Sequence, residues 1–176
     1  MQSWCMGVTG HPYDTWMSDS GVFWPSDLLP QALEGATILG YGFNTEVAGG
    51  ADGPNFLNVQ ADMLVACLGS HRNINHCARR PLVFICHLVG DLIVKRMLIQ
   101  CDSTKHPHLA HRRAISISTY GLLFLGTPHT AIDMECFDIP DTFDANSVDN
   151  INSLFCEMMA SYRIYFFLGD QSPGDE

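Results

Sequence analysis

The residues whose types and spacing come nearest to chemistry lie in one run, Val83-Phe84-Ile85-Cys86-His87-Leu88-Val89-Gly90-Asp91-Leu92-Ile93-Val94-Lys95. Its apolar start reads as a buried strand. Ile93, Val94, Met97, Leu98 and Cys101 then recur at helical spacing. A strand that passes through a sharp turn into a helix can hold a nucleophile exposed at the top of a sheet, with small neighbours that let the strained turn pack. Here the apex of the turn is Leu88, and of its neighbours only Gly90 is small. Leucine has no proton to lose and no lone pair to attack a carbonyl, so serine-type acyl transfer cannot start from this turn. A non-glycine residue at positive φ costs about 1–2 kcal/mol. The turn is therefore expected to relax, with the leucine partly filling the pocket.

The neighbouring reactive types each have an alternative reading. Cys86 and His87 could form a nucleophilic pair, but adjacent strand residues point to opposite faces, so Cys86 reads as a small core residue. Asp91 reads as a cap that favours the dipole of the following helix, and its charge would oppose an oxyanion nearby. His106, His108 and His111 have the spacing of a metal loop, yet no carboxylate or thiolate completes a tetrahedral set. They read as a solvated loop, and neither a metal nor a cofactor is expected.

The elements that must position the turn alternate strand and helix, which predicts an α/β layer architecture with a mostly parallel sheet. Ala36 to Phe43 reads as the first clear strand, and Leu82 to Cys86, Tyr120 to Leu125 and Ile164 to Leu168 read as later ones. A helix from Asn55 to about Arg72 carries Val59, Met63, Cys67 and Leu68 at helical spacing. After the turn, Lys95, Arg96 and Gln100 fall on the side that reaches solvent. A last helix places Val148, Ile151, Leu154, Phe155, Met158, Met159 and Tyr162 on one stripe, with Asn146 or Ser147 as cap and Asp149 in the first turn. Ala48 to Pro54 and Asp102 to Arg113 read as loops.

Composition narrows the class. The chain has 176 residues, enough for one domain with a core, and 47% are apolar against 16% charged, which excludes a disordered make-up. A net charge of −10 disfavours nucleic acid and anionic lipid surfaces. Seven cysteines, odd in number and never spaced Cys-x-x-Cys, predict reduced and mostly buried thiols in an intracellular, cytoplasmic setting. Met1 to Gly7 has no secretory pattern, and no apolar run approaches the length of about 18 residues that a membrane helix needs.

Blocks along the chain, taken together, resemble the serine esterase or lipase-like α/β hydrolases, a group that includes the domain at the N-terminus of fungal NACHT-type signalling proteins. They are Met6-Gly7-Val8-Thr9-Gly10-His11-Pro12-Tyr13-Asp14-Thr15-Trp16, Trp24-Pro25-Ser26-Asp27-Leu28-Leu29-Pro30 with Ile38-Leu39-Gly40-Tyr41-Gly42-Phe43, Arg80-Pro81 with its strand and turn, and Leu122-Leu123-Phe124-Leu125-Gly126-Thr127-Pro128-His129. The resemblance covers residues 6–168 of a single domain 1–176, with 169–176 as a polar tail. It implies a truncated α/β-hydrolase fold, a mostly parallel sheet with helices on both faces.

The same resemblance locates the site and its gaps. It implies an oxyanion cradle from the amides of Gly7, Val8 and Val89, and a pocket flanked by His11 and His129, for which fixing a loop through a backbone carbonyl is the alternative role. The elbow of the group resembles Gly-His-Ser-Leu-Gly-Gly, whereas this chain has Cys86-His87-Leu88-Val89-Gly90-Asp91. Met6 stands in place of the loop's histidine, and with so few residues before it the strand anchoring that loop is expected to be nearly gone. Asp170 is a possible remnant acid, and no histidine follows His129. No catalytic residue is assigned. Three readings stay open: a non-catalytic ligand-binding or interaction module for a small ester or lipid, a weak ester or lipid hydrolase, and a fragment of a larger NACHT-type signalling protein. A partner chain covering an exposed sheet edge is also expected.

Overall fold

The computed structural model describes residues 2–6, 13–43, 55–104, 106, 109–126 and 145–167. Gly7, Val8, His11, the loop Ala48 to Pro54, His108, His129, Leu168 and Asp170 lie outside them. Among the described residues five strands form one sheet: β1 (Gln2–Met6), β2 (Thr37–Tyr41), β3 (Leu82–His87), β4 (Thr119–Leu125) and β5 (Arg163–Phe167). Their spatial order is β2-β1-β3-β4-β5 and every pairing is parallel. The chain is an α/β protein.

The order explains where the helices go. A right-handed crossover from β1 to β2 runs in the opposite direction from those that lead to β3, β4 and β5, so the two sets of connections cover opposite faces. On one face pack α3 (Phe56–Ile74), α4 (Val89–Asp102), α5 (Ala110–Ser118) and α6 (Ala145–Met158). On the other lie a 3-10 turn at Asp14–Trp16 and two single-turn helices, α1 (Trp24–Asp27) and α2 (Leu29–Ala32), with Pro25 and Pro30 early in each, where a missing N–H costs nothing. The strands alternate accordingly. Leu82, Phe84 and Cys86 of β3 join Leu122 and Phe124 of β4 in the main core, while Ile85, Leu123 and Leu125 pack with Trp16, Phe23, Trp24 and Leu29 in a smaller cluster.

Several sequence expectations are corrected. β1 is a full strand, paired on both sides by β2 and β3, rather than nearly lost; five residues is an ordinary strand length. α3 exists as read, but it is rotated: Phe56, Leu57, Gln60, Ala61, Leu64, Val65 and Leu68 are buried, whereas Val59, Met63 and Cys67 are exposed. Residues 110–113, the end of the stretch read as a loop, belong to α5 (Ala110–Ser118), whose burial rests on Ile115 and Ser116. α6 begins at Ala145, so Asn146 and Ser147 lie inside its first turn and Asp149 beyond it, and Leu154 turns outward. Among the described cysteine side chains Cys77, Cys86 and Cys101 are buried, but Cys67 and Cys156 are exposed. Burial pushes the Cys101 thiol up to about 12, which makes it an inert packing group.

Buried polar side chains tie the layers together. The Arg72 guanidinium, at the end of α3, donates to the carbonyls of Ala78 and Arg80 and to Ser118 Oγ at the end of α5. Tyr41 Oη donates to the Gln60 carbonyl and to Gln60 Oε1, each at 3.2 Å, linking β2 to α3. Lys95, expected to reach solvent, is instead buried: its Nζ lies 3.1 Å from Asp91 Oδ2, donates to Asn152 Oδ1 at 2.8 Å, and stands 5.2 and 5.7 Å from the ring centres of Phe124 and Phe155.

Candidate functional site at the strand-to-helix turn

In open parallel sheets, ligands bind outside the carboxyl ends of the strands where successive connections leave in opposite directions. Here that point lies between β1 and β3, where Met6 pairs in register with Cys86. Leu88 follows immediately, between β3 and α4. The described cavities are elsewhere. A groove of about 500 Å³ lined by Val65, Gly69, Asn73 and His111, and a smaller one of about 200 Å³ near Ser116 and Tyr162, lie toward the amino ends of β3, β4 and β5.

The expected relaxation of the turn does not occur. Leu88 has φ 50° and ψ −126°, a conformation that L side chains avoid. Neighbouring bonds account for its persistence. The Leu88 N–H donates to the Leu125 carbonyl at 3.2 Å, and the Asp91 N–H donates back to the Leu88 carbonyl at 3.1 Å. The leucine side chain is half-buried and packs against the main core, and Val89 and Gly90 behind it are buried. A strained residue of this kind survives only where its surroundings over-determine it.

Gly126 closes the opposite wall. It ends β4 at φ 58°, and its N–H donates to the Phe167 carbonyl at 2.9 Å. A Cβ there would stand 3.8 Å from Leu88 Cδ2 and 3.9 Å from His87 Nε2, so a small side chain at this position would sit at ordinary van der Waals distance from the turn.

His87 and Cys86 point to opposite faces, as strand geometry requires. Cys86 belongs to the main core. The His87 ring lies on the other face, 6.1 Å from the Trp16 ring in an edge-on arrangement, and Trp16 packs edge-on against Trp24 at 5.4 Å. Burial lowers the His87 pKa below its ordinary value, and its buried Nδ1 has no hydrogen-bond partner among the described residues. The ring is therefore neutral at neutral pH.

Asp91 has a role that the sequence did not suggest. Its carboxylate pairs with Lys95 inside the core, which balances its charge beneath the turn, so it is not a bare negative charge facing an oxyanion. The structure thus brings together His87, Leu88 and Val89, and adds Trp16, Gly126 and Lys95, which sequence reasoning passed over. Gly126 carried a signal, as the glycine that ends a strand. Of the histidine trio, His106 and His111 are exposed, and among the described residues no cluster could hold a metal ion. No helix is long and apolar enough to cross a membrane among those residues.

No protein-family model matches this chain, no curated protein matches it in sequence, and no solved structure matches it in fold.

Proposed function

We propose that this chain is a degenerate α/β-hydrolase-like domain that keeps the nucleophile turn in its backbone and uses the crevice there to bind, without catalysis, a small ester or lipid. The observation that carries this reading is Leu88 at φ 50° and ψ −126°, at the carboxyl end of the central strand. In a strand-to-helix turn of this kind residue 88 stands where a nucleophile would, and its leucine side chain, packed against the main core, has no nucleophilic atom. The surrounding wall is apolar and aromatic, with Leu88, Gly126 and Trp16 around a neutral His87. It suits an acyl chain better than a charged ligand. The strand order and the strand–turn–helix connection support the hydrolase-like assignment in the same way.

The test is a pair of measurements on folded chain isolated by gel filtration. A short-chain p-nitrophenyl ester is expected to be hydrolysed no faster than in buffer, and a fluorophosphonate is expected to leave the chain unlabelled. A non-hydrolysable ether analogue of that ester is expected to shift the amide resonances of Leu88, Val89 and Gly126. Turnover that a fluorophosphonate abolishes would overturn the non-catalytic half of the proposal. An unchanged spectrum at millimolar analogue would overturn the binding half.

A further inference from the structure

Three helices finish together at the amino ends of the strands, far from the crevice. α4 ends at Asp102, α5 at Ser118 and α6 at Met158. The smaller pocket, of about 200 Å³, is walled by the last turns of all three: Asp102 from α4, Ser116 and Ile117 from α5, and Met158 from α6. Thr119, the first residue of β4, and Tyr162, just before β5, close the remaining side.

We propose that this pocket binds the ammonium group of a small alkylamine. Each helix end carries about half a negative charge on its unsatisfied carbonyls, and the three converge here. No basic side chain stands in the last turn of any of them to balance that charge. The nearby arginines are engaged elsewhere, Arg163 over the Tyr120 ring at 4.2 Å and Arg112 with Asp62 at 2.6 Å. Burial first, and then the neighbouring Asp102 carboxylate, push the Tyr162 phenol up, so that hydroxyl stays neutral. Asp102 is then the one ionised side chain of the lining, and a cation is the charge it favours.

The hydroxyls favour a ligand that donates. Thr119 Oγ1 donates its proton to the Ile115 carbonyl at 2.9 Å, so towards any further partner it can only accept. Ser116 Oγ and Tyr162 Oη share a hydrogen bond of 2.9 Å, which uses one of their two protons. An ammonium has three donors and no acceptor, which suits such a wall. Ser116 and Thr119 are buried, and the Tyr162 ring is stacked on Phe155 with an interplanar angle of 2°, so these groups are held before any ligand arrives. The volume is below the roughly 300–1,000 Å³ of sites for drug-sized ligands, which limits the ligand to a few heavy atoms. Met158 and Ile117 give its short alkyl tail an apolar side.

The experiment is titration of the full folded chain with butylammonium chloride, against sodium chloride at equal ionic strength, followed by amide resonances. Saturable shifts at Asp102, Ser116 and Tyr162 are expected in the millimolar range, as suits so small a ligand. Butan-1-ol, similar in size but uncharged, is expected to bind at least about tenfold more weakly, and Asp102→Asn to weaken butylammonium by a similar factor. Glu34→Gln makes the same change of net charge at an exposed residue after α2 and is expected to bind like the native chain. The absence of saturable shifts would overturn the proposal, as would butan-1-ol binding equally well or an Asp102→Asn chain that binds like the native one. An equal loss in Glu34→Gln would also overturn it, by showing attraction to the net charge of −10 rather than to a site. Nα-acetyl-lysine methylamide carries the same head group on a peptide backbone and is expected to bind more weakly; tighter binding would overturn the free amine in favour of a lysine from another protein. If Asp102→Asn misfolds, the comparison of butylammonium with butan-1-ol on the native chain decides.

Discussion

The N–H of Leu88 donates to the carbonyl of Leu125 at 3.2 Å, so the end of β4 holds the residue that turns β3 into α4. This bond and the core contacts of the leucine side chain oppose relaxation of a backbone that costs about 1–3 kcal/mol at a non-glycine residue. The strain can be isolated by comparing two truncations that lose the same packing. Leu88→Gly is expected to be more stable than Leu88→Ala by about 1–2 kcal/mol in urea unfolding. An ordinary strand or helix position shows the reverse order by about 0.5–1 kcal/mol. Alanine as the more stable variant would show that the turn is not strained in solution.

His87 makes stability depend on pH. Its folded pKa is lowered by burial, so the folded state disfavours the protonated ring, while the unfolded chain protonates near the ordinary value of about 6.5. The unfolded state therefore binds more protons in the window below that value. Stability is complete above about 6.5 and falls as pH drops through the unfolded pKa toward the folded one. His87→Phe retains a ring against Trp16 and is expected to flatten this part of the profile. Urea midpoints at intervals from about pH 7.5 to 5 check it, and parallel profiles for the two chains would refute it.

The Asp91–Lys95 pair is expected to cost more when half removed than when removed whole. Lys95→Met takes the ammonium from a carboxylate with no exposed surface and is expected to destabilise by about 3–5 kcal/mol. Adding Asp91→Leu is expected to recover most of that loss, because the aromatic surroundings from Phe124 and Phe155 accept an apolar pair. Thermal unfolding of both variants measures the difference. Equal losses would mean that the pair contributes by packing alone.

Arg72 holds the end of α3, the turn before β3 and the end of α5 through three acceptors. Lysine keeps the charge but cannot reproduce the planar fork, so Arg72→Lys is expected to cost about 2–4 kcal/mol. Ser118→Ala removes one acceptor and is expected to cost about 1 kcal/mol. An Arg72→Lys chain as stable as the native one in urea unfolding would contradict the role assigned to the fork.

Much of this architecture is legible in the residues because period and propensity are local. The alternation of strand and helix signals, the strand at Leu82, the helix after Leu88 and the strand ended by Gly126 all follow from apolar spacing and turn chemistry. Leu88 itself states that serine-type acyl transfer cannot start from this turn, a matter of which atoms a side chain carries rather than of where it sits. The face of a helix was less legible. α3 carries more apolar residues than one face holds, so periodicity alone admitted the Val59, Met63, Cys67 stripe, and only contact with the sheet selected Phe56, Leu57, Ala61, Leu64 and Val65. α5 was missed because its sequence buries so little.

Tertiary structure decided whatever depends on groups distant in sequence. Local rules say that a leucine leaves positive φ; a carbonyl from β4 and a packed core hold it there. A lysine on a helix reaches solvent by default, yet Asp91, Asn152, Phe124 and Phe155 enclose Lys95 because α6 and β4 close over it. A five-residue strand at the start of the chain has little stability alone, and β1 exists because β2 and β3 satisfy both of its edges. What one side chain can do was written in the sequence; which conformation it must keep was decided by neighbours that only the folded chain brings within reach.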